Sequence, residues 1–201
     1  MMATMSRRGE TSVIGGNALQ LYSLGHSDRT AAEFLEMLDT FGIRCLVDVR
    51  AQPVSRRHPH FSRTSLVPLL RDMGIDYHWL GSSLGGMRKS DADVLSPHVA
   101  LHSQGMRAYA DHMATAAFRA GAASLLERAR LMPTAMMCAE KWPQNCHRSL
   151  LADYLVHQQV QVIHVLDGET AVPHHISAVV RQADDGLVYD HGSDRQLGLN
   201  L

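Results

Sequence analysis

Hydrophobic residues fall along this chain in two alternating patterns. Near-continuous apolar runs of strand length occur at "LQLYSLG" (residues 19–25), "IRCLVDV" (43–49), "IDYHWL" (75–80), "PTAMMC" (133–138) and "VQVIHVL" (160–166). Between them lie segments with helical spacing: "TAAEFLEMLDTFG" (30–42), "RTSLVPLLRDMG" (63–74), "MRAYADHMATAAFRAGAASLLERARL" (106–131) and "HRSLLADYLVHQ" (147–158). Runs as apolar as residues 43–49 suit strands covered on both faces. Thr30 and Glu33 have the spacing of a capping box, and Gly42 suits the stop of that helix. The long segment at 106–131 reads as two helices broken near Gly121. Residues 81–105 hold turn residues and weak periodicity.

Strands alternating with helices predict an α/β fold with a mainly parallel sheet and right-handed crossovers. Ligands in such sheets bind at the carboxyl ends of strands. Three polar segments leave those ends: "GHSD" (25–28), "DVRAQPVSRRHPHF" (48–61) and "CAEKWPQNCHR" (138–148). The expected order puts the first strand beside both the second strand and the "PTAMMC" strand, so that the three segments meet.

Composition narrows the class. At 201 residues, 45% hydrophobic and 19% charged, the chain suits one soluble domain. A net charge of −1 predicts no broad attraction to DNA or membrane, so anion recognition must be local. No stretch nears the roughly 18 apolar residues of a membrane helix. Arg7 and Arg8 lack the apolar core of an export signal behind them, which makes the cytoplasm the expected compartment. Residues 1–19 read as a flexible tail, 20–175 as the α/β domain and 176–201 as a carboxy-terminal extension. Three cysteines do not make a disulfide framework, and Cys45 reads as a core residue.

Cys138 and Cys146 are the pair to explain. Asn145 suits an N-cap, which would place Cys146, His147 and Arg148 in a first helical turn. Free amides and the helix dipole there favour an anion and a thiolate, while Arg148, read as a surface residue, offers paired donors to phosphate or carboxylate. The plainer alternative is a Cys packed beneath the helix. Asp48 and Arg50 point the same way from a strand end, either as a structural pair or facing a cleft. Ser55, Arg56 and Arg57 form a basic loop suited to a phosphate backbone. His26 follows the first strand, with Ser27 or Asp28 as a cap for the next helix. Gly85 and Gly86 permit close backbone approach.

"YSLGHS", "LVDVRAQPVSR", "HPHFSRTSL", "GIDYHWLGSSLGG", "MCAEKWPQNCHRSLLADYL" and "VIHVLDG" together resemble the family catalogued as domain of unknown function 488. The resemblance runs from Leu21 to His175. It implies a single Rossmann-like three-layer domain, with Gly25, His26, Asp48, Arg50, Pro53, Ser55, Glu140, Cys146, His147 and Arg148 on motif positions. It implies no activity.

The leading expectation is an enzyme acting on a phosphate-bearing substrate, a nucleotide or nucleic acid. Arg50, Arg56 and Arg148 would hold the anion, with Ser27, Ser55, Gly85 and Gly86 lining its site. Cys146 would be the nucleophile and Glu140 the acid or base, with His147, His26 and Asp48 in support. Arg148 lies only two residues after Cys146, which departs from the C-x5-R cradle of cysteine phosphatases. A second expectation is a zinc or iron enzyme with Cys138, Cys146, His147 and His26 as ligands and Glu140 as base. A third is a non-enzymatic module that binds nucleic acid or a partner through the basic loop. No motif implies a cofactor, and the sequence leaves the oligomeric state open.

Overall fold

Five short apolar runs become five parallel strands. In the computed structural model, which describes residues 18–89, 95–183 and 186–190, they are β1 (Gln20–Gly25), β2 (Cys45–Asp48), β3 (Asp76–Trp79), β4 (Thr134–Cys138) and β5 (Gln161–Val165). A sixth, β6 (Ala171–Pro173), adds antiparallel to β5, and the sheet order is β3-β2-β4-β1-β5-β6. Strand β4 therefore lies between β1 and β2, which corrects the expected order. Every residue of β4 and β2 is buried, as unbroken apolarity requires of central parallel strands.

Helices cover both faces, giving a single three-layer α/β domain. On one face α1 (Ala31–Thr40) and α2 (Arg63–Asp72) pack Phe34, Leu38, Leu66 and Leu70 against Leu24, Leu46 and Met137. Thr30 and Glu33 form the capping box expected of them. After the single turn α3 (Gly81–Leu84) come α4 (Gln104–Met113), α5 (Ala116–Leu131) and α6 (Arg148–His157). Their Tyr109, Phe118, Leu125, Leu151 and Leu155 bury Leu21, Cys45, Val47 and Met136 on the opposite face. No helix among the described residues is long and apolar enough to cross a membrane.

The long helical segment breaks at Ala114–Thr115, not at Gly121. Thr115 caps α5, its hydroxyl accepting from Phe118 N at 3.2 Å, and Gly121 lies inside the helix. Glycine is needed there for packing, because a Cβ would stand 2.3 Å from Ser83 Oγ and 3.0 Å from Leu84 Cγ.

The carboxy-terminal extension adds a hairpin, β7 (Val180–Ala183) and β8 (Gly186–Tyr189). Tyr189 of β8 is fully buried against the α4–α6 face. Residues 1–17 of the expected tail, and 184–185 and 191–201 of the extension, lie outside the described residues.

Gly121→Ala is expected to destabilise the fold by about 1–3 kcal/mol through overpacking, despite alanine's better helix propensity. Urea melts of the two proteins would show it; a stabilised variant would mean that Ser83 gives way freely.

Candidate functional site

The segment after β4 reaches the next helix by a detour. Pro143, whose ring presets φ, opens a 3-10 turn over Pro143–Asn145, and Cys146 N donates to Pro143 O at 3.0 Å. Cys146 is extended (φ −138°, ψ 146°), and α6 begins only at Arg148 with His147 at its cap position. Asn145 is therefore not the N-cap. Only Arg148 stands in the first turn, so Cys146 lacks the helix-end environment expected for it.

The detour folds Cys146 and His147 back over the end of β4. Cys146 Sγ lies 3.6 Å and Cys138 Sγ 3.9 Å from His147 Nδ1, and these three atoms all lie within 4.8 Å of one another. His147 Nε2 sits 3.2 Å from the Val49 carbonyl. A carbonyl only accepts, so Nε2 carries the proton and a neutral ring turns its Nδ1 lone pair toward the sulfurs. Gly86 packs against the same ring, where a Cβ would come 2.5 Å from Nδ1, and the Tyr109 ring lies tilted against it with centroids 4.9 Å apart.

All three side chains are buried. Cys146, expected as the nucleophile, is thus enclosed together with Cys138, closer to the plainer alternative of a packed cysteine. They differ in acidity. The Cys138 thiol donates toward Cys146, which lowers the Cys146 pKa against the opposing effect of burial, and His147 adds to the lowering. The same hydrogen bond, then burial, raises Cys138 well above an ordinary thiol.

Arg148 is not a surface residue. It is 1% exposed, donating from Nη1 to Ser23 Oγ at 3.0 Å and from Nη2 to the Glu140 carbonyl. Its donors hold the loop to β1 instead of facing an external anion. The Glu140 side chain is exposed, so that residue contributes its carbonyl to this contact and leaves its carboxyl at the surface.

Asp48, Arg50 and His26 reach the same edge on the other face of the sheet. Arg50 clasps Asp48 at 2.9 Å (Nε to Oδ1) and 2.5 Å (Nη2 to Oδ2), and donates to the Phe61 carbonyl. Tyr77 OH donates to Asp48 at 2.7 Å. This closed, buried knot corrects Arg50 as an anion-binding residue. His26 stacks on Phe61 at 4.3 Å, its Nδ1 donates to Ser27 O at 2.8 Å, and its Nε2 faces Arg50 Nη1 at 3.4 Å. Burial depresses its pKa to about 4. His26 does not join the sulfur cluster.

Other expected residues shape loops. Ser55 Oγ accepts from His58 N at 3.1 Å. Ser27 adopts φ +53° and donates to Asp28, while the helix cap falls to Thr30. A Cβ on Gly85 would meet the Gly81 carbonyl and Ala51 backbone; the close approach is to the chain itself. Arg56 remains exposed. Sequence reading passed over Ser23 and His164, buried polar residues that face each other across β1 and β5. Their signal was a single polar position inside "LYSLG" and inside "VIHVL".

A family model described as domain of unknown function DUF488 matches residues 30–155. No curated protein and no solved structure matches the chain. The matched region includes Cys138, Cys146 and His147 and stops before β5.

Two outcomes follow from this geometry. Asp48→Ala should cost about 3–5 kcal/mol, since it leaves the Arg50 charge buried and unpaired; denaturant melts showing under 1 kcal/mol would mean that water reaches Arg50. Stability should also fall with acid. His26 and His164, the latter depressed to about 3 mainly by burial, stay neutral when folded but take protons near pH 6.5 when unfolded. Their stabilisation is complete above about pH 6.5 and is lost toward pH 4, at up to about 1.4 kcal/mol per pH unit per histidine. Melts that do not change between pH 7 and pH 5 would show that these rings are charged in the folded protein.

Proposed function

This chain belongs to the DUF488 family, whose description carries no activity, and from the site itself we propose a metal-dependent enzyme with Cys138, Cys146 and His147 as ligands of one zinc or iron ion. The observation that carries this reading is the convergence of two Sγ atoms and one Nδ1 on a common point. Zinc–sulfur bonds of about 2.3 Å and zinc–nitrogen bonds of about 2.05 Å at tetrahedral angles put sulfur and nitrogen roughly 3.6 Å apart. The separations here are 3.6 and 3.9 Å. His147 also has the outer partner that metal-bound imidazoles use, a carbonyl accepting from the far nitrogen.

Three protein ligands leave one position for water or substrate, which is the pattern of catalytic zinc sites, not structural ones. The bound ion would supply a polarised carbonyl or phosphoryl group, or an acidified water. Glu140, two residues after Cys138 and exposed, is the base this reading assigns. Arg56 and Arg57 are exposed on the loop after β2, next to β4, and are the cations a phosphate-bearing substrate would meet. Reduced thiolate ligands fit the cytoplasm.

A second reading is favoured by the 3.6 Å contact between Cys146 Sγ and His147 Nδ1. There Cys146 is a thiolate nucleophile, with His147 as its proton partner and no metal.

Metal analysis of protein purified under reducing conditions, with cobalt(II) titration, separates the two. The metal reading expects about one equivalent of zinc or iron and intense thiolate–cobalt absorption, both lost in Cys146→Ser and His147→Ala. Protein that carries no metal and takes up no cobalt would sink it. Fast alkylation of Cys146 alone at neutral pH, unaffected by chelator, would then establish the second reading.

A further inference from the structure

The face of the sheet beneath α6 carries a line of polar groups where an apolar core would suffice. Ser23 and His164 are register partners there, 0% and 4% exposed. Arg148 reaches Ser23 Oγ from the first turn of α6. Five residues along the same helix Asp153, 2% exposed, accepts from His174 Nε2 at 2.9 Å and from Ser177 N at 2.9 Å on Oδ1, and from Tyr189 OH at 3.1 Å on Oδ2. His174 Nδ1 lies 2.9 Å from His164 Nε2.

The proton positions follow from one end of this line. A carboxylate only accepts, so His174 Nε2 carries a proton. In a neutral His174 the Nδ1 atom is then a lone pair, and His164 must donate to it from Nε2. That leaves His164 Nδ1 as a bare acceptor. Among the described residues two buried side-chain polar atoms lack a partner, and they are complementary: the acceptor His164 Nδ1 and the donor Arg148 Nε. Both side chains flank Ser23. Burial, and to a lesser degree the Arg148 charge, hold His164 neutral.

We propose that Asp153, His174 and His164 form a directed hydrogen-bond relay that reaches Arg148 Nε through one internal water, and that they act as positioning residues for the Cys138–Cys146–His147 site. Arg148 passes the constraint on through Ser23 and through the Glu140 carbonyl, which lies in the loop joining the two cysteines. Gly25 makes room for that carbonyl, since a Cβ there would overlap it. The relay draws His164, His174, Ser177 and Tyr189 from beyond the family-matched residues. The carboxy-terminal segment is therefore part of the site's support.

The consequence for metal binding rests on the metal reading above; the tautomers do not. Nitrogen-15 NMR of histidine-labelled wild-type protein at neutral pH should show His164 and His174 both as neutral Nε2–H tautomers. A His164 with its proton on Nδ1, or a doubly protonated His174, overturns the relay. His174→Leu should shift the His164 tautomer equilibrium and weaken cobalt(II) binding roughly 10–100-fold, the usual loss when outer support of a metal ligand is removed, with unchanged far-ultraviolet circular dichroism. Unchanged affinity in a folded variant overturns the positioning role. Wild-type protein that binds no cobalt refutes the metal reading alone. In that case the rate of Cys146 alkylation reads the positioning role instead: a changed rate in His174→Leu supports it and an equal rate overturns it.

Discussion

Arg148 joins three parts of the protein that would otherwise be independent: the loop between the cysteines, the end of β1, and the first turn of α6. It does so as a buried cation with no carboxylate partner among the described residues. An isolated buried charge is expensive, so its surroundings must supply negative potential. The Glu140 carbonyl and Ser23 hydroxyl supply dipoles. Cys146 lies close by as well: the hydrogen bond from Cys138, then His147 and last the Arg148 charge favour its thiolate against the effect of burial. The loop conformation is what brings this cation and sulfur together.

A second constraint divides the edge. Side chains alternate along a strand, so residues that leave the sheet at one edge still fall on two faces. Cys138 belongs to the core beneath α5 and α6, whereas Phe61, on which His26 stacks, belongs to the core beneath α1 and α2. The Asp48–Arg50–Tyr77 knot is on this second face. Its donors and acceptors satisfy one another, the arrangement that lets an ion pair persist in a core. It fixes the loop after β2, and that loop's Val49 carbonyl in turn orients His147. One face holds the sulfur–imidazole cluster and the other holds its frame.

Local order was well marked in the sequence. Apolar runs, the Thr30–Glu33 spacing and the polar segments at strand ends located five strands, the helix starts at Ala31 and Arg63, and the edge where the cysteines meet. Pairwise strand order was not marked, because the central strands are covered on both faces and nothing in "PTAMMC" says which neighbour it takes. The α5 boundary was visible in Thr115, a good cap, but Gly121 drew attention as the commoner helix breaker; its reason is Ser83, a contact from distant sequence. The roles of Arg148 and Arg50 were hidden for the same cause. An arginine that serves an external anion and one that serves its own chain look alike until burial is known.

Burial also orders the chemical readings. A phosphate cradle needs guanidinium groups with donors turned outward, and Arg50 and Arg148 turn theirs inward. What remains at the edge is a closed cluster of two sulfurs and an imidazole, each held from behind: Cys138 by β4, Cys146 by the 3-10 turn, His147 by Val49, Gly86 and Tyr109. Rigid convergence of donors is what a metal ion requires of its ligands. A nucleophile requires it less, since it must also meet its substrate, and Cys146 at 4% exposure offers little approach. An ion bound by all three residues would carry the reactivity itself while the sulfurs stay enclosed. The enclosed geometry that weakens Cys146 as a nucleophile is therefore the geometry that suits it as a ligand.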